Sequence, residues 1–182
     1  MNQGIIGRRL FLAGGAAGML GLIGWRRRPA SNDLVKIVEF TNQGERKGIV
    51  SVPRITKTDA EWKKQLSPAS FEITRRAGTE RAFSGELQDV HDRGVFRCIC
   101  CDTAAFDSRT KFDSGTGWPS FWKPIAPENV VEAADSSFGM QRTAVACRRC
   151  DAHWGHVFDD GPSPTGLRYC MNSVALRFAK AG

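Results

Sequence analysis

The segment Cys147-Arg148-Arg149-Cys150-Asp151-Ala152-His153-Trp154-Gly155-His156 sets the architecture of this 182-residue chain. It begins with a C-x-x-C pair, and the same spacing occurs at Cys98 and Cys101, about 46 residues earlier. Such a pair places two thiolates on one tight turn, and four thiolates fill the tetrahedral shell of a structural zinc ion. We therefore expect one Zn²⁺ ion, bound by Cys98, Cys101, Cys147 and Cys150.

Disulfides are the alternative use of these pairs, since an exported chain would permit them. The metal is favoured because it would hold together the large lobe between the two turns. Metal ligation would also sequester these four thiols. Of the two remaining cysteines, Cys100 lies inside the first turn. Cys170 has no partner thiol nearby in the sequence and is therefore the candidate nucleophile.

Residues 1–30 predict an export signal. Arg8 and Arg9 open an apolar, glycine-rich run that reaches Trp25, shorter than the ~20 apolar residues that span a bilayer comfortably. Paired arginines followed by Leu-Phe-Leu resemble the twin-arginine signal, which implies the bacterial export machinery as a partner and the periplasm as destination. A buried amphipathic helix is disfavoured because the run has no polar stripe. Cleavage near Ala30 and retention as a membrane anchor both stay open.

The positive charge is concentrated in this N-terminal segment. The formal net charge is +7, and five arginines within residues 1–30 carry +5 of it, which leaves +2 on the rest of the chain. A nearly balanced folded part gives little support for a nucleic-acid partner.

Beyond the signal, residues 31–54 predict a tether leading into extended structure, and residues 55–182 predict one domain. Thr58 and Glu61 form a capping box that begins a helix, while Pro68 and Gly78 suit the start and end of a second one. From Gly94 onward, short β-like runs lead into each zinc turn, and residues 173–178 alternate as a last strand. The expected fold is mostly β, with antiparallel sheets held together by a four-cysteine zinc site and small helices on the N-terminal side.

Histidines and aromatic residues supply the other candidates for chemistry. His153 and His156 follow the second zinc pair directly, and because four cysteines fill the metal shell they are available as proton donors. Alone, such a pair would more often be structural or a metal site. Trp118 lies in a glycine- and proline-containing loop typical of a rigid binding surface, although core packing explains it equally well.

Four stretches together resemble the zinc-containing methionine-R-sulfoxide reductases, the MsrB family, over roughly residues 55–179. They are Cys98-Ile99-Cys100-Cys101, Lys111-Phe112-Asp113-Ser114-Gly115-Thr116-Gly117-Trp118-Pro119-Ser120-Phe121, Cys147 through Pro162, and Arg168-Tyr169-Cys170-Met171-Asn172-Ser173.

The resemblance implies a fold of two antiparallel β-sheets with small helices, acting on oxidised proteins as a monomer. It implies that Cys170 attacks the sulfoxide sulfur while His156 or His153 helps to protonate the oxygen, leaving a sulfenic acid on the cysteine. Trp118 matches the tryptophan that packs on the substrate methyl group. Asn172 matches a polar residue that orients the site, although it also suits a turn before the last strand.

Thr116 departs from the family pattern, because many members have a cysteine there that resolves the sulfenic acid. Cys100 is then the only other thiol within the chain, and its place inside a metal turn makes a flexible approach doubtful. Direct reduction by a small thiol or a thioredoxin-like partner is favoured.

Two other functions compete with this interpretation. A non-catalytic binding module could use the same scaffold, but it would not need a nucleophile beside proton donors. A zinc-ribbon protein that binds nucleic acid is disfavoured by the nearly neutral domain and by the export signal.

Overall fold

The computed structural model describes residues 33–136 and 141–182. The predicted export signal at residues 1–30 lies outside the described residues. Within the two described ranges, no helix combines the length and the apolar character needed to cross a membrane.

Eleven strands and two α-helices make up the described part of the chain. In order they are β1 (Leu34–Phe40), β2 (Arg46–Pro53), α1 (Asp59–Gln65), α2 (Pro68–Arg76), β3 (Gly94–Cys98), β4 (Ala104–Asp107), β5 (Lys111–Phe112), β6 (Ser120–Phe121), β7 (Val130–Asp135), β8 (Arg142–Cys147), β9 (His153–Phe158), β10 (Arg168–Met171) and β11 (Leu176–Lys180).

The strands form three antiparallel sheets. The largest has the order β5-β6-β10-β9-β8-β7, a second has the order β11-β3-β4, and β1 pairs with β2 in a hairpin. The expected mostly β, antiparallel fold is confirmed, and each C-x-x-C turn directly follows a strand, β3 in one case and β8 in the other.

The two main sheets meet around an aromatic core. The rings of Phe106 and Phe121 stack with centroids 4.4 Å apart, and Phe96 meets Phe121 edge-on at 4.9 Å. Trp154 adds a fourth ring, 6.1 Å from Phe106, and all four side chains are fully buried. This core fixes the strand β9, which carries both candidate histidines.

The segment predicted as a tether contains the two strands of the hairpin, and it is anchored to the domain. The backbone of Val38 makes two hydrogen bonds with the buried side-chain amide of Asn129. Arg97 donates to the Phe40 carbonyl oxygen and to the Asn42 side chain. The hairpin is thereby joined to the domain by buried and part-buried polar contacts between segments far apart in sequence.

Both helices begin at the predicted residues. Thr58 caps α1 with the full capping box, and Ser67 caps α2, which has Pro68 in its first turn. The helix α2 ends through a left-handed residue, as expected, but that residue is Ala77 with φ 54°, and Gly78 follows it.

The last strand begins three residues later than the alternating pattern of residues 173–178 predicted. Ser173–Ala175 form a 3₁₀ turn, and β11 starts at Leu176. The Glu80 carboxylate accepts hydrogen bonds from the backbone N–H groups of Ser173 and Val174, which stabilises a turn where an extended strand was expected.

Candidate functional site

The two C-x-x-C turns fold alike and face each other. In the first, Asp102 N donates to Cys98 O, and in the second Asp151 N donates to Cys147 O. Both aspartates have positive φ, 65° and 54°, which this residue type tolerates better than most. The two turns therefore present their thiols from equivalent positions.

The four predicted cysteines form one cluster, with all sulfur atoms within 4.8 Å of one another. The Cys98 and Cys150 sulfurs are 3.7 Å apart, and those of Cys101 and Cys147 are 3.5 Å apart. Tetrahedral zinc at ~2.3 Å from each thiolate requires sulfur separations of roughly 3.8 Å. The donor set and spacing therefore fit a metal ion, and both of these short sulfur contacts join one turn to the other.

Cys100 lies with this cluster. Its side chain is 5% exposed and its thiol is placed against Cys98, Cys150 and Thr74. Its carbonyl oxygen accepts a hydrogen bond from the Gln65 side chain at 2.6 Å. The structure thus groups Cys100 with the four clustered cysteines.

Cys170 occupies the middle of the large sheet. Strand β10 pairs it with Ser120 of β6 on one side and His156 of β9 on the other, and directly opposed residues share one face of an antiparallel sheet. Gly155 permits the close approach of β9 and β10, because a Cβ atom there would lie 2.1 Å from the Cys170 carbonyl oxygen.

A cavity of about 130 Å³ opens on this face. It is lined by Thr79, Trp118, His156, Phe158, Cys170 and Asn172, among others. Of the predicted site residues, the structure therefore brings together the nucleophile, one histidine, the tryptophan and the asparagine around one opening.

Several groups act on the Cys170 thiol. Burial raises its pKa above the ordinary value, while the Arg168 guanidinium and the hydroxyls of Thr116 and Ser120 act in the opposite direction. The Ser114 hydroxyl lies 2.8 Å from each of these two hydroxyls and links them. Burial outweighs these groups, so the pKa of the half-buried Cys170 thiol is raised overall, and the polar hydrogens around it offset only part of the cost of forming a thiolate.

The two histidines have different surroundings. Their rings are 5.1 Å apart. His156 Nε2 lies 2.7 Å from the Asp135 carboxylate, which also pairs with Arg142 at 2.9 Å. Burial lowers the pKa of His153 to about 4, and its Nε2 atom makes no hydrogen bond to any of the described residues. His153 is therefore neutral near pH 7, and His156 is the histidine with a carboxylate counter-ion.

Glu80 positions two site residues at once. Its backbone N–H donates to the Asn172 side-chain oxygen at 2.8 Å, and its carbonyl oxygen accepts from the Trp118 indole at 3.2 Å. The Asn172 amide also donates to the Trp154 carbonyl oxygen. Asn172 is 3% exposed, so its polar groups fix the backbone around the cavity.

Sequence reasoning missed Glu80, Asp135 and Arg168 as residues of this site. Arg168 forms a double hydrogen bond with Asp160, both contacts at 2.8 Å, and its guanidinium lies 4.4 Å from the Phe158 ring centroid. Its position two residues before Cys170 on one strand was the available signal. No sequence pattern indicated Glu80 or Asp135, because each contacts a site residue that is far from it in the sequence.

The fold and the site together describe an antiparallel β protein with a cysteine at the wall of a cavity. A family model described as the SelR domain matches residues 66–180. Similar proteins named peptide methionine sulfoxide reductase MsrB occur in Herminiimonas arsenicoxydans, at 54% identity over 125 residues, and Pseudomonas savastanoi pv. phaseolicola, at 57% over 123. These alignments cover 69% and 68% of this chain and 91% and 94% of the relatives. A third such protein, from Hahella chejuensis, is 52% identical over 128 residues, covering 70% of this chain and 92% of its own length.

The chain therefore belongs to the MsrB family. The family model begins at residue 66, so the β1–β2 hairpin and α1 lie before the matched region.

Proposed function

We propose that this protein reduces methionine-R-sulfoxide in oxidised proteins to methionine, with Cys170 as the nucleophile. The observation that carries the proposal is the Cys170 thiol, placed at a cavity beside Trp118 and His156. Family membership supports the reaction and is the basis for the R epimer.

The Cys170 thiolate attacks the sulfoxide sulfur while a proton is delivered to the sulfoxide oxygen. The sulfur–oxygen bond of the substrate breaks, methionine leaves, and the oxygen ends on Cys170 as a sulfenic acid. The cysteine is thus oxidised by two electrons and the substrate sulfur is reduced by two. Trp118, tied through its indole to Glu80, offers an aromatic face to the substrate methyl group.

His156 is the proton donor in this scheme. Donation requires a protonated ring, and the Asp135 carboxylate at 2.7 Å supplies the counter-charge. His153 remains neutral because burial lowers its pKa to about 4, so it serves as a packing neighbour of His156. Asn172 acts as a positioning residue through its bonds to Glu80 and Trp154.

The four-cysteine cluster binds one structural Zn²⁺ ion. The spacing of its sulfurs supports this assignment, as does the arrangement of the two turns, which join β3 to β4 and β8 to β9. The metal would hold the β11-β3-β4 sheet to the large sheet, which carries Cys170 and His156.

Recycling uses an external thiol. Cys100 is 5% exposed and lies with the proposed metal ligands. The position at which many family members have the resolving cysteine is occupied here by Thr116, which faces Cys170. A first thiol displaces water from the sulfenic acid to form a mixed disulfide, and a second thiol releases Cys170. A small thiol or a thioredoxin-like protein fits this role.

The recycling proposal is tested by comparing the turnover of wild type and Cys100→Ser with dithiothreitol and with thioredoxin. If Cys100→Ser loses only the thioredoxin-driven turnover, Cys100 is the resolving thiol.

Residues 1–30 act as a twin-arginine signal that delivers the protein, as a monomer, to the periplasm. The Arg8-Arg9 pair and the apolar run after it support this proposal. Replacing both arginines by lysine should retain the protein in the cytoplasm, and unchanged periplasmic recovery in fractionated cells would contradict it.

The function itself is tested with dabsylated methionine-R-sulfoxide and dithiothreitol. Wild type should form dabsyl-methionine, Cys170→Ser should not, and the S epimer should remain unreduced. Ser163→Ala provides a matched control, since this serine is exposed and does not line the cavity. Full activity of Cys170→Ser would overturn the assignment of the nucleophile.

A further inference from the structure

Phe83 is a large aromatic residue whose side chain is not used to build the core. The residue is 68% exposed, the most exposed large apolar residue in the described ranges. Exposure alone carries no functional meaning, because single apolar residues are common on protein surfaces. Leu34 and Ile49, at 61% and 52% exposure on the hairpin, are ordinary examples.

The backbone of Phe83 distinguishes it from Leu34 and Ile49. Its φ is +61°, in the left-handed region that a bulky side chain rarely adopts. The other non-glycine residues with positive φ in the described ranges are Ala77 at a helix end and Asp102 and Asp151 at the metal turns. Phe83 therefore combines backbone strain with an exposed ring, and strain of this kind concentrates at ligand-binding positions.

The surrounding contacts place this ring against the loop that carries Trp118, a residue of the cavity wall. The Phe83 N–H donates to the Gly117 carbonyl oxygen at 2.8 Å, and a Cβ atom on Gly117 would lie 2.7 Å from the Phe83 ring. Gly117 is flanked by Thr116, which faces Cys170, and by Trp118, which lines the cavity. Thr79, only four residues before Phe83, lines the same cavity.

We propose that Phe83 is a specificity-determining residue whose exposed ring receives an apolar side chain adjacent to the methionine sulfoxide in the substrate polypeptide. This inference rests on the proposed function, with the sulfoxide itself bound at Cys170. Methionine is among the residues most often buried, so its neighbours in a protein are commonly apolar too. Oxidation exposes such a segment by disrupting the core around it, and an exposed apolar ring beside the Trp118 loop offers the exposed neighbours a contact.

A purely structural role is the competing explanation, since the ring also packs on Gly117. That role would hold the loop of Trp118 in place for every substrate. Substrate contact would instead affect only substrates that have an apolar neighbour, and it would affect KM in preference to kcat. The two explanations therefore differ in their dependence on the substrate.

The kinetic test uses two R-sulfoxide pentapeptides, one with leucine and one with glycine on both sides of the oxidised methionine. Phe83→Ala should raise KM for the leucine peptide by about five- to tenfold, the effect of losing part of one apolar contact, and leave kcat unchanged. The glycine peptide should change less than about twofold. Phe83→Trp should retain the preference, and Ile49→Ala serves as the control for removing an exposed apolar side chain.

Phe83→Gly keeps the test informative if alanine perturbs the fold, because glycine adopts positive φ without strain. It should lose the leucine preference while unfolding at the same or a higher temperature than wild type. Equal losses on both peptides, or a loss in kcat alone, would assign Phe83 to packing and overturn the proposal, as would an unchanged preference.

Equilibrium binding separates this proposal from the proposed function. In a Cys170→Ser background, which prevents turnover, Phe83→Ala should weaken binding of the leucine peptide by the same factor and leave the glycine peptide unchanged. If wild type reduces neither peptide yet this binding difference persists, the reaction assignment fails and the contact stands. If wild type reduces both peptides and Phe83→Ala binds them as wild type does, the reaction stands and the contact is overturned.

Discussion

The histidine that is not assigned as proton donor should control how stability depends on pH. Burial lowers the pKa of His153 from an ordinary 6.5 to about 4, so between these values the unfolded chain binds a proton that the folded protein does not. Lowering the pH through this window must therefore favour unfolding. The shift corresponds to about 3 kcal/mol in total, of which about 2 kcal/mol is lost between roughly pH 7.5 and pH 5.

His153→Gln removes this titration, and the measurement is urea unfolding followed by tryptophan fluorescence at several pH values. Whatever its stability at about pH 7.5, the variant should lose about 2 kcal/mol less than wild type by about pH 5. Remaining at or above about pH 5 limits acid loss of metal from thiolate ligands. His91→Gln, at an exposed histidine, should follow wild type. Parallel curves for wild type and His153→Gln would refute the assignment of a neutral, buried His153.

Three further changes follow from the same structure. Thr116→Cys should place a thiol beside Cys170 and yield an internal disulfide after one turnover; peptide mapping that finds only free or mixed-disulfide Cys170 would contradict the geometry. Glu80→Ala should cost about 2–3 kcal/mol in urea unfolding, because two backbone N–H groups lose a charged acceptor, whereas the exposed Glu86→Ala should cost little. Cys147→Ser should abolish stoichiometric zinc by metal analysis and lower the melting temperature; retained zinc would locate the metal elsewhere.

The sequence was most informative where a few neighbouring residues determine the local structure by themselves. The two C-x-x-C pairs predicted a four-cysteine cluster, and the structure brings those four sulfurs together. The capping box at Thr58 likewise predicted the start of α1 correctly. In both cases a few neighbouring residues define the local turn, so their spacing carries the geometry.

Residues that join the site through strand pairing could not be predicted. Asp135 reaches His156 because β7, β8 and β9 pair in a particular register, which no local pattern encodes. Glu80 meets Asn172 across 92 positions of sequence, and its carboxylate converts the expected start of the last strand into a turn. Such contacts depend on the completed fold.

The position of Cys100 supports the recycling route that the sequence already favoured. From the sequence, it was the one remaining thiol that could resolve Cys170. The structure places it against Cys98 and Cys150, while hydroxyl groups surround Cys170. The external recycling route is therefore the more economical proposal.

The proposed mechanism depends above all on Cys170 taking the oxygen from the substrate. A single turnover without reductant tests this step, with methionine quantified and the protein trapped with dimedone and mapped by mass spectrometry. We expect about one methionine per chain, with the dimedone adduct on Cys170, and neither product in Cys170→Ser. Methionine formed by Cys170→Ser, or an adduct confined to Cys100, would contradict the mechanism.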